Sequence, residues 1–257
     1  MKEGQKRWTR EELILAVNLY CKLPFGRLHS RNPEVVDLAL LIGRTPGSVA
    51  FKLVNFASLD PSLKKRGIKG ASNVSILDKE IWAEFFDRWD LLPFESEKLL
   101  AKFKGVSVEQ LNNIPEIELL KEGKTREQLV RVRVNQSFFR NTVLASYDNT
   151  CCITGIQQRE CLIAGHIKPW SVDEKNRLNP RNGIAINALH DRAFETGLIT
   201  ITSDYRIRVS SVIKQQQASE VLNDYFLRYD NQIINLPSRF LPDPDFLKYH
   251  NEIRFKP

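Results

Sequence analysis

The chain has 257 residues, 42% of them hydrophobic, which is enough to bury one large core or two small ones. No run approaches the roughly eighteen apolar residues of a membrane span, and the charged start "MKEGQKRWTREE" lacks the apolar region of an export signal. A formal net charge of +7 favours an acidic partner, nucleic acid first, but charge alone does not decide it.

The first element is "WTREELILAVNLYCKL". Thr9 followed three residues later by Glu12 forms a capping box, and Leu13, Leu15, Ala16 and Leu19 mark one apolar helical face. A second helix is expected from Pro33 through "EVVDLALLIG" to Gly43. A third starts where Thr45 can cap and Pro46 occupies the first helical position. Three short helices with tight turns outline a helix-turn-helix unit. With Trp8, the stretch "GRTPGSVAFKL" resembles a Myb-type or winged-helix module, which implies that Ser48, Lys52 and Asn55 face DNA. A small helical bundle without a ligand fits the same pattern.

Next, "DPSLKKRGIKGASNVS" gathers Lys64, Lys65, Arg66 and Lys69 on a Gly- and Ser-containing loop. It reads either as a phosphate-contacting wing or as a solvated loop. In "DKEIWAEFFDRWDLL" the helix returns, and Trp82, Phe85, Phe86 and Trp89 read as core. Residues 1–92 are thus expected to form a helical DNA-recognition domain and 93–124 a linker with short helices, leaving 125–257 as a second domain. That domain opens with Thr125 and Gln128, another capping box, on a long helix flanked by Arg131, Arg133 and Arg140. The four cysteines (Cys21, Cys151, Cys152 and Cys161) form no disulfide framework, which suits a reducing, cytoplasmic setting.

Chemistry concentrates after that helix. "DNTCCITGIQQRECLIAGHIKPW" reads as a strand, a turn at Gly155 and a second strand ending at His166. "NRLNPRNGIAINALHDRAFETGLITI" reads as a turn at Asn179-Pro180, a loop through Asn182-Gly183 and a helix carrying His190 that stops at Gly197. "LITI" and "YRIRV" are expected to be further strands. His166, Asn182 and His190 on a strand-strand-helix framework resemble the HNH nucleases of the ββα-metal superfamily. The flanks "NQSFFRNTVLASYDNTCCITG", "AGHIKPWS" and "INLPSRFLPDPDFLKYHNEIRF" extend the resemblance to the HNH domains of bacterial restriction-type endonucleases, from about Leu129 onward.

The resemblance implies an α+β chain, with the helical N-terminal module joined to a ββα-metal nuclease domain that hydrolyses DNA to 5′-phosphate and 3′-hydroxyl ends. His166 would be the general base, a role suited to a group that titrates near neutrality. Asn182 would brace the loop that orients it, and His190 would bind one divalent ion. Magnesium or manganese suits an open oxygen-rich site, while histidine ligation also admits nickel, cobalt or zinc. Gly165 departs from the pattern, because many members place a metal-binding Asp or His before the base. Asp191 and Glu195 are the carboxylates that could take over. Arg181 and Lys168 flank the site as candidate phosphate contacts. A structural zinc is not expected, since the four spaced ligands it needs are missing. His250 is expected to pack or hydrogen-bond near the C-terminus.

The implied role is a restriction or defence enzyme whose N-terminal module selects DNA, including modified DNA. The alternatives are a mobile-element or phage site-specific nuclease and a non-cutting DNA-binding regulator on a degenerate scaffold. Since one site cuts one strand, a homodimer or paired binding on double-stranded DNA is expected. No membrane partner is expected.

Overall fold

The computed structural model describes residues 6–67, 74–115 and 125–257. Its contacts divide the chain into two compact units, Met1–Asn141 and Thr142–Pro257. The architecture is α+β, with many helices and two small sheets.

In the first unit the helices are α1 (Arg10–Lys22), α2 (Pro33–Leu41), α3 (Pro46–Leu59), α4 (Pro61–Lys65), α5 (Ile76–Asp87), α6 (Leu92–Lys104), α7 (Val108–Leu111) and the first part of α8 (Arg126–Ser146). The expected caps form. Thr9 Oγ1 accepts from Glu12 N–H, the Glu12 carboxylate accepts from Thr9 N–H, and Thr45 caps α3. Gly43 ends the α2 turn at φ +65°, a left-handed conformation that suits glycine. Leu13, Val35, Leu53 and Phe56 fill the space between α1, α2 and α3. The α5 aromatics close that core, as read from the sequence. Trp82 stacks on Phe56 with ring centres 6.1 Å apart and meets Tyr20 edge-on at 5.5 Å.

The DNA-facing set assigned to α3 requires correction. Lys52 is 7% exposed, and its Nζ lies 2.9 Å from each carboxylate oxygen of Asp78. Asn55 is 1% exposed and turns toward the same carboxylate. The three-residue spacing places both on the face turned to α5, and a lysine buried there needs the anion it has found. The side chains that α3 leaves exposed are Phe51 and Val54. Ser48 is half-buried in the first turn, where its N–H serves the Thr45 cap. Lys64 and Arg66 are exposed; Lys69 and the Lys65 side chain lie outside the described residues. Among the described residues this unit has no strand that could form a wing.

Breaking a buried pair strands the remaining charge. Lys52→Met should therefore cost about 3 kcal/mol in a urea melt, near the low end for such a loss, because Asp78 keeps the Ser75 N–H. An unchanged melt would show that the pair contributes nothing.

The segment read as a linker supplies α6 and α7 to this unit. Asn18 donates to Ser96 Oγ at 2.8 Å and to Glu97 Oε1 at 2.6 Å, and Lys22 pairs with Glu97. Phe94 packs on Val130 and Val134 of α8. Residues 116–124 lie outside the described set.

In the second unit, β1 (Leu162–His166) runs antiparallel to β2 (Gly183–Asn187), with His166 opposite Gly183. Then come α9 (Ala188–Glu195) and the hairpin of β3 (Ile199–Ile201) and β4 (Ile207–Val209). After these lie α10 (Ser211–Lys214), α11 (Glu220–Tyr225), α12 (Pro244–Tyr249) and a π-helical turn, His250–Arg254.

The strands of the first sheet therefore differ from the sequence reading. Cys151–Thr154 is a turn, and the partner of β1 is Gly183–Asn187, which lies between the loop read at Asn182-Gly183 and the helix carrying His190. Every residue of β2 is buried, so it lacks the alternation that marks a half-exposed strand. The two cysteines nevertheless sit beside the sheet: Cys152 N–H donates to Ala185 O at 2.7 Å, and Cys152 O accepts from Asn235 N–H at 2.7 Å. Among the described residues, no helix is long and apolar enough to cross a membrane.

Candidate active site

β1 ends at His166, where the chain leaves the sheet into a loop that returns through Asn182. That loop is held from inside. Asn182 is fully buried; its Oδ1 accepts from Lys168 N–H at 2.8 Å, and its Nδ2 donates to Lys168 O at 3.1 Å and Asn176 O at 3.3 Å. The main chain adds Ile167 N–H to Asn182 O at 3.0 Å. One amide thus ties both ends of the loop together.

The loop in turn fixes the His166 ring. Its Nε2 lies 2.9 Å from Arg177 O. A carbonyl only accepts, so Nε2 carries the proton and Nδ1 the lone pair. Trp170 meets the ring edge-on at 5.6 Å, and Arg177 reaches back, its Nε donating to Trp170 O at 2.9 Å. Burial lowers the His166 pKa from the ordinary value, with the Arg177 carbonyl opposing the shift. Burial thus favours the neutral ring, with its lone pair on Nδ1.

The expectation for His190 also requires correction. It is 1% exposed, its Nδ1 accepts from Asn187 Nδ2 at 2.7 Å, and its Nε2 donates to Tyr225 O at 2.5 Å. Phe226 and Tyr229 meet its ring edge-on. Both nitrogens are used within the protein, so no lone pair faces a cation. In this structure His190 fastens α9 to the end of α11.

The neighbouring Asp191 differs in every respect. It is half-buried on α9, and among the described residues it has no hydrogen-bond or ion-pair partner. Burial, and then the negative charge of Glu195 one turn on, push its pKa up. It also bears on Gly165. A Cβ at that position would lie 2.5 Å from Asp191 Oδ1 and 3.3 Å from Ile186 Cγ2. A side chain at the position before His166 would have to displace the α9 carboxylate.

A cleft of about 480 Å³ brings together Gly165, His166, Trp170, Asp191, Glu195 and Arg254. The expected phosphate contacts are otherwise engaged. Lys168 pairs with Asp173 at 3.1 Å, and Arg181 with Asp243 at 2.9 Å. Sequence reasoning missed Trp170, Arg177 and Arg254; only the proximity of Trp170 to His166 in the chain could have flagged one of them.

An unpaired, half-buried carboxylate beside a second one suits a hard divalent ion, which binds through one or two carboxylates and fills its remaining positions with water and phosphate oxygens. Among the described residues no three His, Cys, Asp or Glu side chains cluster to enclose a metal. Such a site would be open. Cys151 and Cys152 are buried, and burial pushes the Cys152 thiol well up.

His250 also lines the cleft, as a packed residue that is 2% exposed. It stacks on Phe194 at 3.6 Å, donates from Nε2 to Phe194 O and accepts at Nδ1 from Thr200. Burial lowers its pKa to about 4. A depressed histidine stabilises the fold fully above its unfolded value of roughly 6.5 and loses that contribution as pH falls toward the folded value. Urea melts should therefore show about 3 kcal/mol lost between those limits, a loss absent in His250→Gln. Equal acid sensitivity in both proteins would refute this.

Residues 151–202 match the family model described as HNH endonuclease, in agreement with the resemblance read from the sequence. The match includes His166, Asn182, His190 and Asp191 and ends before the C-terminal turn. No curated protein matches the chain at a significant level.

Proposed function

We propose that this chain is a metal-dependent DNA endonuclease of restriction or defence type, hydrolysing phosphodiesters to 5′-phosphate and 3′-hydroxyl ends. In this reading the first unit selects the DNA, modified DNA included. The observation that carries the proposal is His166, its tautomer set by Arg177 O, sharing a cleft with the unpaired carboxylate of Asp191.

His166 Nδ1 takes the proton of the attacking water, and the Arg177 carbonyl steadies the imidazolium that results. Asn182 is a positioning residue that keeps the loop, and so the ring, in place. Asp191, with Glu195, would hold the divalent ion. When bound, the ion supplies Lewis-acid stabilisation of the charge gathering on the phosphate and the departing 3′ oxygen. An all-oxygen ligand set favours magnesium or manganese. A double-strand break takes two such sites, so two copies would act on one duplex.

The test uses methylated and unmethylated plasmid with magnesium, manganese or EDTA, followed by DNA ligase. The expected result is metal-dependent nicking or cutting that EDTA stops and ligase alone reseals. Cutting in EDTA, ends that ligase cannot join, or intact plasmid of both kinds in both metals would each sink the proposal. A rate difference between the two plasmids would locate the modification preference.

A further inference from the structure

Asp191 and Glu195 line the cleft, Glu195 paired with Arg192 at 2.9 Å, and a DNA backbone entering it brings further negative charge. Among the described residues lining the cleft, Arg254 is the one Lys or Arg. It is exposed, one Nη2 hydrogen is donated to Glu195 O at 2.7 Å, and its other N–H groups have no protein partner among the described residues. A guanidinium tethered at one corner with its remaining donors free is suited to a phosphate.

Its position is built in. The π-helical turn that carries Arg254 is tied to β3 by Asn251, whose Nδ2 donates to Thr200 Oγ1 and Ile201 O. Lys256 N–H donates to Gly197 O at 2.9 Å. Gly197 has φ +76°, and a Cβ there would lie 1.9 Å from Arg254 O. The end of α9 and the backbone of Arg254 therefore meet at a glycine, and the side chain is brought to the cleft from a distant part of the sequence.

We propose that Arg254, outside the segment matching the family model, is a catalytic residue that clamps a non-bridging oxygen of the DNA phosphate in the cleft. The proposal rests on the nuclease reading above. It predicts that the C-terminal turn is part of the active site.

The experiment compares wild type with Arg254→Ala and Arg254→Lys in the full chain. It measures kcat and KM on duplex DNA, and the salt dependence of duplex binding in EDTA. Arg254→Ala should lower kcat/KM at least tenfold and reduce the slope of log affinity against log salt by about one. Added guanidinium should restore part of the rate, Arg254→Lys should fall between, and the melting temperature should hold. A wild-type rate in Arg254→Ala overturns the proposal. So does a loss that guanidinium does not rescue together with an unchanged salt slope, because that pattern marks a structural role. A wild type that cuts nothing, with the slope still falling in Arg254→Ala, sinks the nuclease reading and leaves the phosphate clamp standing.

Discussion

His166→Ala should slow metal-dependent cleavage by about 10²- to 10⁴-fold, the usual contribution of a positioned general base. The fold should survive, since the ring is half-buried and alanine gives up the hydrogen bond to Arg177 O and the edge-on contact with Trp170, a modest loss. The pH profile sharpens the test. His166 must be neutral to accept a proton, and burial lowers its pKa. The wild-type rate should therefore hold through neutrality and fall on the acid side of the ordinary histidine value. In His166→Ala the small residual rate should lack that limb. Rates at several pH values, each with saturating metal, measure both effects. An unchanged rate, or a limb that persists in the variant, would remove His166 as the base.

Local chemistry made much of the fold legible. The capping boxes at Thr9 and Thr125, the Thr45–Pro46 start and the glycine stop at Gly43 lie in the elements they punctuate. The hairpin of β3 and β4 was visible as short apolar runs. β2 was not, because a strand buried on both faces has no alternation to show. The aromatic stripe of α5 read correctly as core because it has both the spacing and the bulk of a packed face.

The candidate site was legible in His166 and less so around it. His166 could be singled out because a titratable ring ends an apolar strand. His190 and Lys52 were misjudged for a common reason. A polar side chain faces inward when a distant residue supplies its partner, and the sequence does not display that pairing. Asp78 is 26 residues from Lys52, and Tyr225 is 35 from His190. Asp191 shows the converse. It was a secondary candidate beside a more familiar ligand type, and what raises it is a half-buried position with no hydrogen-bond or ion-pair partner among the described residues.

Asp191→Asn should separate activity from stability. If Asp191 holds the divalent ion, the substitution removes several kcal/mol of transition-state stabilisation, so cleavage should fall more than about 100-fold. Stability should move the other way. The folded-state pKa of Asp191 is raised, so the charged form is disfavoured in the fold. Such a group stabilises the fold at acid pH and loses that contribution as pH rises through the folded value. At neutral pH the wild type carries this cost, and asparagine, nearly the same shape, does not. The variant should melt at or above the wild-type temperature in EDTA. Millimolar magnesium should raise the wild-type melting temperature and leave the variant unmoved, since a ligand stabilises only the state that binds it. Gly165→Ala should also lose activity, because its new methyl would displace the Asp191 carboxylate. Were Asp191→Asn to cut at the wild-type rate, or to melt well below it without metal, Asp191 would be a structural residue and the ion would belong elsewhere.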